Sequence, residues 1–215
     1  MLKFTSIYIS RRSLLSLVLI LFVLGLMVAL PSPAHATTVC NNGDSITMGS
    51  YWLNSNLWGA GSGSGSQCLT SNSQNGSTIS WSTNWNWTGQ SNSVKSYDSA
   101  VLGWHWGWKL QNTGLPVLIS ANNNIPTSWS FNVSQSGSLD ISYDIWLSTN
   151  PSLGNANPTD EIMIWLYNAG GISPVGSNQM SVNVDGTGWN LWRGNTSWQV
   201  MSFVRQSNTT SASLN

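Results

Sequence analysis

Side chains alternate with period two through much of the chain. Trp81, Trp85 and Trp87 in S-W-S-T-N-W-N-W-T-G share one parity. Trp104, Trp106 and Trp108 in G-W-H-W-G-W share another, with Gly103, His105 and Gly107 opposite them. The alternation recurs in Ser128–Val133, Leu139–Leu147, Glu161–Leu166 and Trp198–Val204. Successive side chains of a strand point to opposite faces, so each run predicts a strand. Turn-forming clusters separate them: Gly59–Ser66 (G-A-G-S-G-S-G-S, read as a flexible loop), Ala121–Pro126, Asn150–Pro158 and Asp185–Gly188. No segment beyond the N-terminus carries a convincing helical stripe. Many short alternating strands between such turns predict an all-β sandwich or barrel.

Two strands carry an unexpected face. In I-S-Y-D-I-W-L, Ile141, Tyr143, Ile145 and Leu147 take one side, and Ser142, Asp144 and Trp146 the other. In D-E-I-M-I-W-L, Ile162, Ile164 and Leu166 oppose Glu161, Met163 and Trp165, and Glu161 is the only glutamate in the 215 residues. Such a carboxylate is either a solvated edge charge or aimed into a cleft. Most of the fourteen tryptophans are expected to fill the core, each burying roughly 150–250 Å². Those beside acids on the non-core side suit a sugar, whose C–H faces stack on rings while its hydroxyls need polar partners. The pattern points to a carbohydrate cleft.

Composition sets the compartment. Lys3, Arg11 and Arg12 precede an apolar run from Leu14 to Leu30 and an A-x-A site at Ala34-His35-Ala36, the form of a secretory signal peptide covering residues 1–36. The alternative is an uncleaved anchor, since the apolar run could just span a bilayer. Ser10-Arg11-Arg12-Ser13 hints at twin-arginine export, but the greasy core favours the general route. Residues 37–215 then form one domain, with four cations (Lys95, Lys109, Arg193, Arg205) against seven acids, a net charge of −3. No basic patch is present, so nucleic acid is not an expected partner. Export makes a disulfide between Cys40 and Cys68 the expected state of the two cysteines.

Glycoside hydrolysis needs two carboxylates across the scissile bond, about 5–5.5 Å apart in retaining enzymes. Other chemistries are poorly supported. With His35 in the signal, His105 stands alone without metal-ligand spacing, so neither a metal nor another cofactor is expected. Bridged cysteines supply no nucleophile, and no G-x-S-x-G elbow lies between a strand and a helix.

The motifs N-S-N-L-W-G (54–59), W-S-T-N-W-N-W-T-G (81–89), V-K-S-Y (94–97), L-G-W-H-W-G-W (102–108), Y-D-I-W-L (143–147) and E-I-M-I-W-L (161–166) resemble glycoside hydrolase family 12. They stand in family order from about Cys40 to Phe203. The resemblance implies a β-jelly-roll sandwich of two packed, mostly antiparallel sheets with a concave cleft. It implies an endo-β-1,4-glucanase that hydrolyses cellulose or related β-glucans with retention; the export signal makes a secreted protein the expectation, and a monomer is expected. On this resemblance Glu161 corresponds to the nucleophile and Asp144 to the acid beside it that tunes it. Two carboxyls in contact rarely both ionise, so the pair is expected to share a proton at mildly acidic pH, with Asp144 donating to ionised Glu161. Asn56 and Trp58 match glycone-side sugar contacts and His105 a histidine near the same subsites. Met163 lies beneath the reactive sugar, and Trp165 joins the substrate-binding set. Cys40 and Cys68 match the family's N-terminal disulfide.

One departure stands out. The resemblance places the acid/base on a Gly-x-Glu stretch beyond the strand that is here Trp198–Val204, yet no second glutamate occurs. The expectation is a sequence lacking its last strands, with the acid/base beyond Asn215 and little activity as it stands. The rival reading is a non-catalytic β-sandwich that binds carbohydrate. A jelly-roll xylanase would place its nucleophile in a different motif.

Overall fold

The computed structural model describes residues 36–134 and 137–214. The expected signal peptide lies outside the described residues, apart from Ala36. Among them no helix is long and apolar enough to cross a membrane.

Fifteen strands follow one another: β1 (Thr37–Val39), β2 (Ser45–Met48), β3 (Tyr51–Asn54), β4 (Gly63–Asn75), β5 (Thr78–Gly89), β6 (Ser99–Leu102), β7 (Trp104–His105), β8 (Trp108–Lys109), β9 (Thr127–Ser130), β10 (Leu139–Leu147), β11 (Asp160–Ala169), β12 (Ser177–Val184), β13 (Thr187–Asn195), β14 (Gln199–Arg205) and β15 (Ser211–Leu214). Two short 3-10 turns, Ala60–Ser62 and Ile119–Ala121, are the only helical pieces among the described residues. The all-β expectation holds. Hydrogen bonding groups the strands as β1-β4-β5, β2-β3-β6, β7-β8, β15-β9 and a five-stranded sheet in the order β10-β11-β14-β13-β12. Every ladder is antiparallel except β11 with β14.

The tight core lies between the first two groups. Leu53 of β3 and Leu69 of β4 are fully buried with Met48 of β2, and Val39, Ile46, Ile79, Trp81 and Ala100 pack around them. Cys40 and Cys68 are disulfide-bonded, which ties the end of β1 to the strand it pairs with, Val39 standing opposite Leu69. The 28-residue separation gives roughly 3–4 kcal/mol in the chain-entropy model. Replacing both cysteines by alanine is expected to lower the unfolding free energy by about that amount in a denaturant titration. A loss under about 1 kcal/mol would contradict the estimate.

The alternation in β5 is as expected, with Ile79, Trp81, Thr83, Trp85 and Trp87 on its half-buried side. This side borders an open space of about 3680 Å³ that Tyr143 and Ile145 of β10 and Ile162 and Ile164 of β11 also line. Ile145 stays 43% exposed there.

Three local expectations are corrected. Gly63–Ser66 is the start of β4, not a flexible loop. A Cβ at Gly63 would stand 2.1 Å from the Thr88 carbonyl oxygen and one at Gly65 1.9 Å from that of Asn86, so glycine permits a close strand approach. Trp104, Trp106 and Trp108 do not share one extended face. Trp104 pairs with Lys109 and His105 with Trp108, closing a hairpin on Trp106 and Gly107 at φ 37° and 83°. Two positive φ values are the signature of a type I′ turn. In β11 the alternation stops at Trp165: Ser142 faces Trp165 but Ile141 faces Tyr167, leaving Leu166 as a bulge.

Candidate active site

β11 is an interior strand of its sheet, paired with β10 on one side and β14 on the other. Register then decides which side chains meet. Glu161 lies opposite Trp146 on β10 and Val200 on β14, Met163 opposite Asp144 and Ser202, and Trp165 opposite Ser142 and Val204. The two acids predicted to cooperate are therefore on neighbouring strands, one diagonal step apart. Val200 is 1% exposed and Ser202 fully buried, so β14 closes that side of the pair.

Glu161 is recessed, at 6% exposure, but it borders the open space. Its Oε2 accepts a hydrogen bond of 2.7 Å from the Trp198 indole Nε1–H. Burial raises its pKa and the Trp198 hydrogen bond opposes the rise. Asp144 is pushed further, up to about 8, first by burial and then by the charge of Glu161. Two neighbouring carboxyls seldom both ionise.

Asp144 does not face Glu161 alone. Ser142 Oγ stands 3.2 Å from Asp144 Oδ1 and 3.2 Å from Asp140 Oδ2. One hydroxyl has one proton to give, so satisfying both contacts requires one carboxyl to donate. Burial raises the pKa of both Asp140 and Asp144, so either carboxyl can hold the proton that this requires. The expected donor to Glu161 is Asp144; among the described residues the hydrogen bond to Glu161 comes from Trp198 instead.

An aromatic cluster surrounds the carboxylate. Trp146 and Trp198 meet nearly at right angles, 5.7 Å apart. Trp106, at the hairpin tip, lies 4.9 Å from Trp146 and 5.5 Å from Trp198. His105 contacts Trp106 at 4.8 Å, Trp52 at 6.0 Å and Trp146 at 6.3 Å. Burial lowers the His105 pKa, which keeps the imidazole neutral at neutral pH. Asn56 and His105 line a small pocket of about 240 Å³ with Trp52, Trp106 and Trp108. Trp58 lies outside that pocket at 75% exposure, on a loop shaped by the Asn56 side chain, whose Oδ1 accepts the Trp58 N–H at 2.9 Å. It is no core residue. Trp165 differs from the expectation of an open sugar contact. At 5% exposure, with a buried indole N–H lacking a partner, it backs the floor.

Sequence reasoning overlooked Trp198, Trp106 and Ser142 as site residues. Trp198 stands two residues before Val200 and so shares its parity with the Glu161 face. That signal appears only once β11 and β14 are known to pair in parallel. Among the described residues no three His, Cys, Asp or Glu side chains come together as a metal site requires.

A recessed glutamate, a protonated aspartic acid and a ring-lined opening can perform nucleophilic chemistry on a sugar. The sequence profile described as Glycosyl hydrolase family 12 matches residues 49–215. The chain belongs to this family. Endoglucanase S of Pectobacterium parmentieri is 36% identical over 193 residues, covering 84% of this chain and 70% of the relative. A probable xyloglucan-specific endo-beta-1,4-glucanase A of Neosartorya fischeri is 40% identical over 194 residues, covering 87% and 76%. Among solved structures, Endoglucanase 3 of Trichoderma harzianum superposes with a TM-score of 0.72 at 33% identity, covering 85% of this chain and 78% of that one. As a family 12 glycosyl hydrolase the protein has the β-jelly-roll that the resemblance implied, and its activity is that of a glycosidase.

Proposed function

We propose that the protein is a secreted, monomeric endo-β-1,4-glucanase that cleaves internal bonds of cellulose or a related β-glucan with retention. Residues 1–36 act as the export signal and residues 37–215 as the catalytic domain. The observation that carries the reading is the sole glutamate, recessed in a ring-lined site on the face it shares with Asp144. The relatives named endoglucanase and xyloglucan-specific endo-beta-1,4-glucanase support the substrate class.

Glu161 attacks the anomeric carbon and forms a glycosyl ester as the C1–O bond breaks; water then hydrolyses the ester. Asp144, protonated, keeps a second negative charge away from the nucleophile. Met163 lies under the reacting sugar, and Trp165 supports that floor. Asn56 and His105 bind the next glycone sugar, with Trp58 as an exposed stacking platform. The proton donor for the leaving oxygen belongs across the groove from Glu161, and none of the described carboxylates is assigned to it.

The test is product stereochemistry, read by proton NMR during hydrolysis of a soluble mixed-linkage β-glucan. The β-anomer is expected first, with the α-anomer appearing only by mutarotation. Appearance of the α-anomer first overturns retention. Tight glucan binding without cleavage, even of an aryl cellobioside with an activated leaving group, favours the binding-protein reading.

A further inference from the structure

The Trp198 indole is held in place as well as bonded. Trp146 meets it edge-on at 76° and Trp106 braces it from the hairpin tip at 54°. Trp106 adopts φ 37° to do so. Left-handed backbone costs a bulky residue roughly 1–2 kcal/mol, and strain of this kind collects at functional sites. Trp198 stands immediately before β14, whose first residues pair in parallel with Asp160 and Glu161. The strand register thus delivers the ring to the carboxylate, and the two neighbouring tryptophans stop it from swinging away.

An indole N–H can only donate. It favours the ionised carboxylate at every pH, and a hydrogen bond to a charged acceptor is about twice as strong as a neutral one. We propose that Trp198 is the positioning residue of the nucleophile: it ties Oε2, holds Glu161 ionised and leaves Oε1 to attack the anomeric carbon. As Oε1 forms its bond to C1, the C1–O bond to the leaving group breaks and its electron pair departs with that oxygen. Oε2 then becomes the ester carbonyl oxygen and keeps the indole bond. The proposal rests on the reading of Glu161 as the nucleophile. The titratable groups facing Glu161 are Asp144 from β10 and, one ring further away, His105 from the β7–β8 hairpin. β14 presents Val200 and Ser202, which carry no charge, and Asp160 points to the opposite face of β11.

Because the chain has one glutamate, carbon-13 labelling of the glutamate side-chain carboxyl gives one titrating signal and reads Glu161 without any need for turnover. Trp198→Phe is expected to move the midpoint up by about one to two pH units. Trp198→His, which retains a ring N–H, recovers part of that shift. A midpoint within a few tenths of wild type in Trp198→Phe overturns the proposal, and equal shifts in both variants overturn the donor role in favour of packing. Should Trp198→Phe fail to fold, Trp106→Asn reads the same device, because asparagine suits the left-handed turn position while one brace of the ring is lost. A smaller upward shift supports the proposal and no shift overturns it. Trapping with 2,4-dinitrophenyl 2-deoxy-2-fluoro-β-cellobioside, whose leaving group needs no protonation, separates this question from its premise. An adduct that never maps to Glu161 removes the nucleophile reading. An adduct on Glu161 with unmoved midpoints removes the Trp198 proposal alone.

Discussion

Glu161→Gln is expected to abolish cleavage of an activated aryl cellobioside, whose leaving group needs no proton donor. The fall should be on the order of 10⁴- to 10⁶-fold, the size seen when a catalytic nucleophile or its partner is removed. The substitution nearly preserves shape. Its amide oxygen can still accept from the Trp198 indole, which today bonds Oε2 at 2.7 Å, and the side chain stays in its recess beside Val200. Folding should therefore survive, and circular dichroism should match wild type. On the proposed mechanism, what disappears is the electron pair that forms the bond to C1. A side chain serving only to bind sugar would behave differently, since its loss would raise KM and leave kcat nearly intact. Retention of more than a few per cent of wild-type kcat would remove Glu161 from the chemistry. Glu161→Ala with added azide gives a complementary readout: the small anion fills the vacated space and yields the α-glycosyl azide, a product that wild type cannot make.

The face that carries Glu161 was legible because period two is a local property. Asp144 and Trp146 on one strand and Glu161 and Met163 on the next could be sorted by counting, and the register places them side by side. The disulfide was legible from two cysteines behind an expected export signal. Trp198 was not, because 37 residues separate it from its acceptor and only the parallel β11–β14 ladder brings them together. Its own strand pattern reads equally well as core. The G-W-H-W-G-W segment misled for the opposite reason. Its parity is perfect as a strand, and nothing local announces that Trp106, a residue disfavoured at positive φ, will share a tight turn with Gly107. The Gly-Ser run was read by composition, whereas its glycines answer to the backbone of β5 across the ladder. For Trp198 and for these glycines the deciding neighbour is remote in sequence, whereas the hairpin is decided by a local turn that parity does not show.

Asp144→Asn should change how stability and activity depend on pH, and the sign follows from the direction of its shift. An unfolded aspartic acid titrates near 3.9, whereas in the folded protein Asp144 holds its proton up to about 8. Below about pH 4 both states are protonated and the group contributes nothing to pH dependence. From there to about pH 8 the unfolded chain has lost the proton and the folded one has kept it, so unfolding becomes easier by up to about 1.4 kcal/mol per pH unit. Above pH 8 the dependence ends. Asparagine cannot titrate, so the variant should lose most of this slope and gain melting temperature relative to wild type as pH rises from 4 to 8. Burial raises Glu161 as well, and a residual slope of the same sign should remain. Activity follows the same proton. In wild type, ionisation of Asp144 near pH 8 sets a second negative charge beside Glu161. An alkaline limb near that pH is expected in wild type and should be missing from Asp144→Asn, which should also lose less turnover than Glu161→Gln at its own optimum. Melting curves and kcat/KM profiles across pH 4–9 check both halves. An unchanged slope with the alkaline limb still in place would mean that Asp144 ionises like an ordinary surface acid, and its pairing with Glu161 would have to be abandoned.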